Sequence, residues 1–451
     1  MTLLHARHAL TADGWHRDVT VAVEGGRIAS VTPGVHVAGQ AVGVLLPAPV
    51  NLHSHTFQRA MAGMTEKRGA GRDSFWTWRD LMYRFLDHLT PDQVQAIAAL
   101  AMVEMAEAGY AAVAEFHYLH HQSGGKSYAD FAEMSGRITA AAAETGLGLT
   151  LLPVLYQRGG CDGRALGPGQ VRFGNDPDRF ARLIDGAAAH LAHLPADAVL
   201  GVAPHSLRAV TAEGLAMAAA LRPAAPIHIH LAEQVAEVEE LLTHTSARPV
   251  EWLLANAPVD GRWCPIHCTQ MLPQETEGLA RSGAVAGLCP VTEANLGDGI
   301  FDGVNWAAAG GAFGVGTDSN VQITLTGELR LYEYSQRLRD RGRAMLASES
   351  QSTGRVLWEG AARGGAQAAG RQAGVIAPGM WADLVALDAD ALVLEGRQGD
   401  ELLDAAIFAG DAPVTDLWSA GRHIVTAGRH IARDGIEARY RAVMADLRSQ
   451  L

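Results

Sequence analysis

Lysine is nearly absent from this chain. Lys67 and Lys126 are the two in 451 residues, and arginine supplies every other basic side chain. Acidic residues outnumber basic ones, 49 to 36, for a formal net charge of −13. That balance excludes a general nucleic-acid binder, because neutralising phosphate needs a basic surface. It leaves room for a small anionic substrate held by a local group of arginines. Cysteine is scarce too: Cys161, Cys264, Cys268 and Cys289 are too few for a disulfide framework in so long a chain. Cys264 and Cys268 flank His267, yet no second ligand pair stands near them, and they read as buried reduced thiols. No apolar run reaches the roughly 18–20 residues of a membrane span. The opening MTLLHARHALTADGW lacks the basic-then-apolar plan of a signal peptide. A cytoplasmic protein without membrane attachment is expected.

What is present is a globular composition, 48% hydrophobic and 19% charged, long enough for one large domain and a smaller one. VTVAVEGGRIASVTPG sets a Gly-Gly turn between two β-rich runs, the pattern of a hairpin. From Val44 onward short apolar runs alternate with Ala- and Leu-rich helical stretches: LLPAPVNLH, YAAVAEFH, LTLLPVLY, VLGVAPH, PIHIHLA, RWCPIHC, AVAGLCP and GAFGVGTD. Continuous apolar runs suit parallel strands buried on both faces. Eight strand–helix repeats predict an α/β fold, a (β/α)8 barrel over residues 47–374. Residues 1–46 and 375–451 are β-rich, and neither arm has enough strands to bury a sheet face alone. They are expected to combine as one small β-sandwich domain, with a final helix from about Ile436 to Leu447.

NLHSH ends the first predicted barrel strand, and residues two apart on a strand face the same side, so His53 and His55 can reach one ion. HIHLAEQ ends the fifth, with His228 and His230 on one face and Glu233 three residues on. His267 ends the sixth and Asp318, in GVGTDSN, the eighth. Barrel enzymes carry their chemistry at these strand ends. Imidazoles and a carboxylate, with a position left for water, form a catalytic zinc shell. A single strand-end histidine is more often a satisfied polar cap; five such polar residues in register with a barrel, Asp318 among them, are not. His228, one layer deeper, reads as packing. GGKS at Gly124–Ser127 is not a phosphate loop, since His120 stands where the first glycine must be.

On these residues the chain resembles the amidohydrolase superfamily, in the branch with cytosine deaminase and the triazine hydrolases. PGMWADLVALD is similar to that family's return strand. The resemblance assigns the metal to His53, His55, His230 and Asp318, proton transfer to Glu233, and the orienting of water or substrate to His267; Asp318 also takes the water's proton. Binuclear relatives bridge two metals with a carboxylated lysine after the fourth strand. Here that strand ends in VAPHSL, with His205 and no lysine, so one ion per chain is expected: zinc, with iron or manganese fitting similar shells. NLHSHTFQRAMAGMTE, SFWTWRDLMYRF, AEFHYLHH, APHSLRAV, HIHLAEQ and CPVTEANLGDGIF further resemble the formimidoylglutamate deiminases of histidine degradation. The implied reaction is N-formimidoyl-L-glutamate plus water giving N-formyl-L-glutamate and ammonia. The implied substrate-binding residues are Gln58, Arg79, Tyr118, His205 and Arg208. Two carboxylates on the substrate call for bidentate arginines, which Arg79 and Arg208 supply. Trp76 and Trp78 are expected to pack their loop rather than touch substrate, and Tyr118 to reach the ligand from the HYLHH loop. A homodimer is expected. The competing readings are a deaminase of a cyclic amidine such as guanine, cytosine or an aminotriazine, and a non-catalytic scaffold of the same fold.

Overall fold

The computed structural model describes residues 1–35, 39–67, 75–410 and 412–450. Ser74, the first residue of the SFWTWRDLMYRF run, lies outside them.

The predicted barrel is present. Its strands are Val50–Ser54, Ala112–His117, Gly148–Leu155, the broken pair Val199–Leu200 and Ala203–Pro204, Ile227–Leu231, Trp263–His267, Val285–Leu288 and Ala312–Val315. All pair in parallel with their sequence neighbours, the fifth strand being joined to the fourth by the bridges Val202–Ile227 and Ser206–His230. The ring closes where Ser54 meets Asp318: His55 N donates to Asp318 O and Asp318 N to His53 O, both at 2.9 Å. Gly316 makes this closure possible, since a Cβ there would stand 2.6 Å from the backbone N and O of His53.

One boundary differs from expectation. LLPAPVNLH is two strands, not one: Gln40–Pro47 belongs to the terminal sheet and Val50–Ser54 to the barrel. Pro49 has no N–H to donate and restricts the residue before it, so a strand cannot run straight through this segment. Ala48 N donates instead to Asp383 O across the break.

Both chain ends enter one mixed eight-stranded sheet, in the order Arg429–His430, Arg422–Thr426, Val414–Ser419, Leu384–Leu387, Gln40–Pro47, Thr2–Thr11, Gly14–Glu24 and Arg27–Pro33. The predicted hairpin turns at Gly25 and Gly26, whose φ of 57° and 81° glycine accepts without strain. Residues of this sheet, among them Leu4, Val21, Ile28, Leu384 and Trp418, form a hydrophobic core of their own. The last helix runs longer than predicted, Arg433–Gln450, and lies on the barrel helix Pro91–Glu107 rather than on the sheet. Gln93 Nε2 donates to Asp446 at 2.7 Å there.

A buried ionic knot ties barrel to sheet. Arg371, fully buried, donates to Asp383 at 2.9 and 3.0 Å and to Asp197 at 3.0 Å, and Arg422 closes on Asp197 at 2.7 Å. Each charge is met by a partner, which burial requires. Among the described residues no helix is long and apolar enough to cross a membrane.

Candidate metal centre and active site

The strand ends bring the predicted residues to one mouth of the barrel. Ligand atoms of His53, His230, His267 and Asp318 lie within 4.8 Å of one another, all four residues buried. His55 joins through Asp318: its Nε2 stands 3.2 Å from Asp318 Oδ1, and His53 Nε2 stands 3.4 Å from the same oxygen. The tightest set therefore includes His267, which the sequence reading gave an orienting role, while His55 is linked by the shared carboxylate.

Tautomers are set by what each ring's outer nitrogen does. His55 Nδ1 faces the Phe116 carbonyl at 2.9 Å, and His230 Nδ1 faces the His205 carbonyl at 3.2 Å. A carbonyl accepts, so both Nδ1 atoms carry the proton and both Nε2 lone pairs turn inward. His230 Nε2 and His53 Nε2 approach to 3.1 Å. Burial pushes His53 down to about 3 and His230 well below its ordinary value, so both rings are neutral. For Asp318 burial works upward, but its close contacts with the His53 and His55 rings prevail and hold it well below the usual carboxylate range. Neutral imidazoles converging beside an ionised carboxylate are a donor set for a divalent metal ion.

His267 behaves differently. Burial would lower it, yet Glu233, a hydrogen bond to Glu293 and Asp318 together raise it to about 10. Its Nδ1 lies 3.3 Å from Glu293 Oε1 and its Nε2 3.9 Å from Glu233 Oε1. Burial also raises Glu233 to about 7, with Glu237 and Asp318 adding to the rise. A carboxyl group near neutrality is suited to giving and taking protons at physiological pH.

Backbone strain marks the same mouth. His267, Cys268 and Asp318 have φ of 71°, 52° and 44°, a region side-chain-bearing residues rarely adopt. The turn holding Asp318 is pinned by Asn320, also at positive φ, whose Nδ2 donates to Ser54 Oγ and to the carbonyls of His55 and Asp318, each at 3.1 Å. Asn51 holds Thr317 from the first strand, accepting from its N at 3.0 Å and donating to its Oγ1 at 2.7 Å. Glu115 receives the N and Oγ1 of Thr56 at 2.8 and 2.7 Å, fixing the turn after His55. Sequence reasoning missed Asn51, Glu115, Glu293 and Asn320, because their partners lie far away along the chain.

A cavity of about 570 Å³, counting its open mouth, rises from this candidate metal site. All five predicted substrate-binding residues line it: Gln58, Arg79, Tyr118, His205 and Arg208. Gln58 Nε2 donates to the Tyr118 hydroxyl at 2.7 Å, while its Oε1 is buried and unpartnered. The buried Nε atoms of Arg79 and Arg208 likewise have no partner. His205 is held neutral by burial and then by Arg208. Tyr83, Tyr156 and Phe173 complete the wall. Tyr156 directly follows the third strand, at the end where barrel residues reach the mouth, but neither it nor Phe173 was singled out from the sequence. Trp78, expected only to pack its loop, lines the cavity, while Trp76 lies against the arginines. His228 Nε2 instead faces the Ala368 carbonyl at 2.8 Å, deeper in the barrel as expected. Cys161, Cys264, Cys268 and Cys289 are all buried and unpaired. Cys264 and Cys268 stand outside the metal cluster, whereas Cys289 lies within 4.8 Å of His267 and Glu293 ligand atoms.

Comparison with known proteins agrees with this geometry. Residues 44–424 match the amidohydrolase family, and residues 1–41 match the N-terminal domain of the formimidoylglutamate deiminase HutF. Formimidoylglutamate deiminase of Pseudomonas aeruginosa is 46% identical, over 99% of this chain and 100% of that one. The crystal structure of an amidohydrolase from Brucella melitensis superposes with a TM-score of 0.96 at 49% identity, covering 99% of this chain and 100% of that one. At 20% identity, atrazine chlorohydrolase TrzN from Arthrobacter aurescens TC1, crystallised with zinc, shares the fold with a TM-score of 0.85 over 98% of this chain and 100% of its own. This chain belongs to the amidohydrolase family and carries the amino-terminal segment found in its formimidoylglutamate deiminases.

Proposed function

We propose that the protein is a zinc-dependent formimidoylglutamate deiminase of histidine degradation, hydrolysing N-formimidoyl-L-glutamate to N-formyl-L-glutamate and ammonia. The observation that carries this reading is one cavity lined by Arg79 and Arg208 at its wall and by His55, His230, Glu233, His267 and Asp318 at its floor. The full-length relative at 46% identity acts as support.

His53, His55, His230 and Asp318 would hold one zinc ion, with His267 beside it. When bound, zinc makes water a nucleophile at neutral pH and polarises the carbon it attacks. The rest is done by the chain itself. Arg79 and Arg208 receive the two carboxylates, their unpartnered Nε–H groups pointing to an anion yet to arrive. Gln58 Oε1 and the Tyr118 hydroxyl face the polar substrate body, and His205, held neutral, offers a hydrogen bond without adding charge. Asp318 accepts the proton of the attacking water. Glu233 hands a proton to the leaving nitrogen, so that ammonia departs rather than an amide anion. His267, at 3.9 Å from Glu233, steadies the developing tetrahedral centre. Unpaired buried cysteines fit a reducing compartment, and the cytoplasm is the proposed location. A two-fold dimer, the commonest assembly of soluble enzymes, is the proposed working state.

The test is ammonia release from N-formimidoyl-L-glutamate beside N-formimidoyl-L-aspartate, guanine and cytosine. The glutamate derivative should exceed both bases in kcat/KM by more than about a hundredfold, since buried arginines without an anion penalise a neutral ring. Equal turnover of either base overturns the reading.

A further inference from the structure

Trp76 has no part in the chemistry above, yet it contacts both guanidinium groups. It stands three residues before Arg79 on the helix Phe75–Leu86, a spacing that puts the two on one face. The guanidinium carbon of Arg79 lies over the indole 4.5 Å from the ring centroid, and that of Arg208 lies over it at 5.7 Å. Both fall inside the ~6 Å within which a ring face attracts a cation. Arg79 belongs to the helix after the first barrel strand and Arg208 to the loop after the fourth. The indole thus touches both segments above the barrel mouth, and the Tyr83 ring, on the same helix, lies 5.5 Å from the Arg79 guanidinium carbon.

The choice of an aromatic ring has a chemical consequence. Two like charges brought to one cavity repel, and Arg208 is only 8% exposed. A carboxylate between them would cancel the repulsion, but it would also occupy their donors before substrate arrived. The indole offsets part of the repulsion through its quadrupole and leaves the N–H groups free. The acids whose charges favour the Arg208 cation, Glu237 and then Glu233, do so without an ion pair to it among the described residues: Glu237 accepts from Glu233 N at 3.0 Å, and Glu233 faces His267. Among the described residues that line the cavity are both arginines but not Trp76, which meets the guanidinium groups from behind.

We propose that Trp76 is a positioning residue that holds Arg79 and Arg208 as one cationic pair and thereby selects substrates with two carboxylates over those with one. This rests on the arginine assignment made above. The test compares N-formimidoyl-L-glutamate with N-formimidoyl-4-aminobutyrate, which lacks the carboxylate next to the formimidoyl nitrogen. Trp76→Leu keeps an apolar side chain and removes the ring; KM for the dicarboxylate should rise about tenfold, with kcat within about twofold. For the monocarboxylate KM should change less than about threefold, and Trp76→Phe, which restores a ring face, should stay near wild type on both. If Trp76→Phe and Trp76→Leu behave alike, or the loss falls on kcat, the proposal is overturned. If Arg208→Ala leaves KM for the dicarboxylate unchanged, the arginine assignment itself fails. A raised KM in Arg208→Ala with no change in Trp76→Leu refutes the Trp76 role alone.

Discussion

Replacing Glu233 by glutamine isolates proton transfer from everything else the site does. The two side chains have nearly the same volume, and the anchors at this position are made by backbone. Glu233 N donates to Glu237 at 3.0 Å, and Glu233 O accepts from Thr269 Oγ1 at 2.7 Å, so both survive the change. The candidate metal donors are untouched. What is lost is a buried carboxyl raised to about 7 by desolvation, able to exchange its proton near neutral pH. General acid–base catalysis of this kind is worth about 10²- to 10⁴-fold, equivalent to about 3–5 kcal/mol at ~1.4 kcal/mol per decade. The expected result is therefore a fall in kcat of that size for ammonia release from N-formimidoyl-L-glutamate. KM should stay within about twofold, because Arg79 and Arg208 are unaffected. Metal content, measured on the same preparation, should equal that of the unaltered protein. A Glu233→Gln variant that keeps kcat within about threefold, fully metallated, refutes the proton-transfer assignment whatever the substrate.

Three further outcomes follow from buried polar contacts at the site and between barrel and sheet. Asn320→Ala removes donors to Ser54 Oγ and to the buried carbonyls of His55 and Asp318, and should weaken metal affinity by about 10- to 100-fold in competition with a chelator. Arg371→Met leaves Asp383 without the two hydrogen bonds that Arg371 makes to it, and should cost about 3–5 kcal/mol, read as an earlier thermal unfolding midpoint at fixed scan rate. The same knot gives a pH dependence of defined sign. For Asp197 burial works upward, but Arg422 and Arg371 outweigh it and its folded value is lowered. Its contribution is therefore present above the unfolded carboxylate value of about 4 and lost as pH falls through the lower folded value. The midpoint should drop steeply below about pH 4, and less steeply in Arg371→Met.

The barrel and its candidate metal donors are legible because both are written in local pattern. Apolar runs at regular intervals mark buried parallel strands, and a strand's period of two places His53 and His55 on one side. His230, His267 and Asp318 needed only the rule that barrel chemistry gathers at strand ends. What stayed hidden depends on contacts between distant segments. Asn320 reaches back to Ser54, and Glu293 reaches His267, with nothing in either local run to announce the pairing. Trp76 read as loop packing because its spacing to Arg79 is visible and its approach to Arg208 is not. The break at Pro47–Ala48–Pro49 was overlooked because the apolar character continues across it while the backbone pairing does not. The terminal helix was found, but the surface it packs on, the helix Pro91–Glu107, required the fold itself.

The central claim is that one divalent ion, held by His53, His55, His230 and Asp318, powers a hydrolysis. It is tested most directly by stripping the protein with a chelator and titrating zinc back while following ammonia release from N-formimidoyl-L-glutamate. Activity should be absent at the start and rise linearly to a plateau at one equivalent per chain, the single-ion shell expected when no lysine stands after the fourth strand. A plateau reached only at two equivalents, or full activity in the stripped protein, contradicts the account.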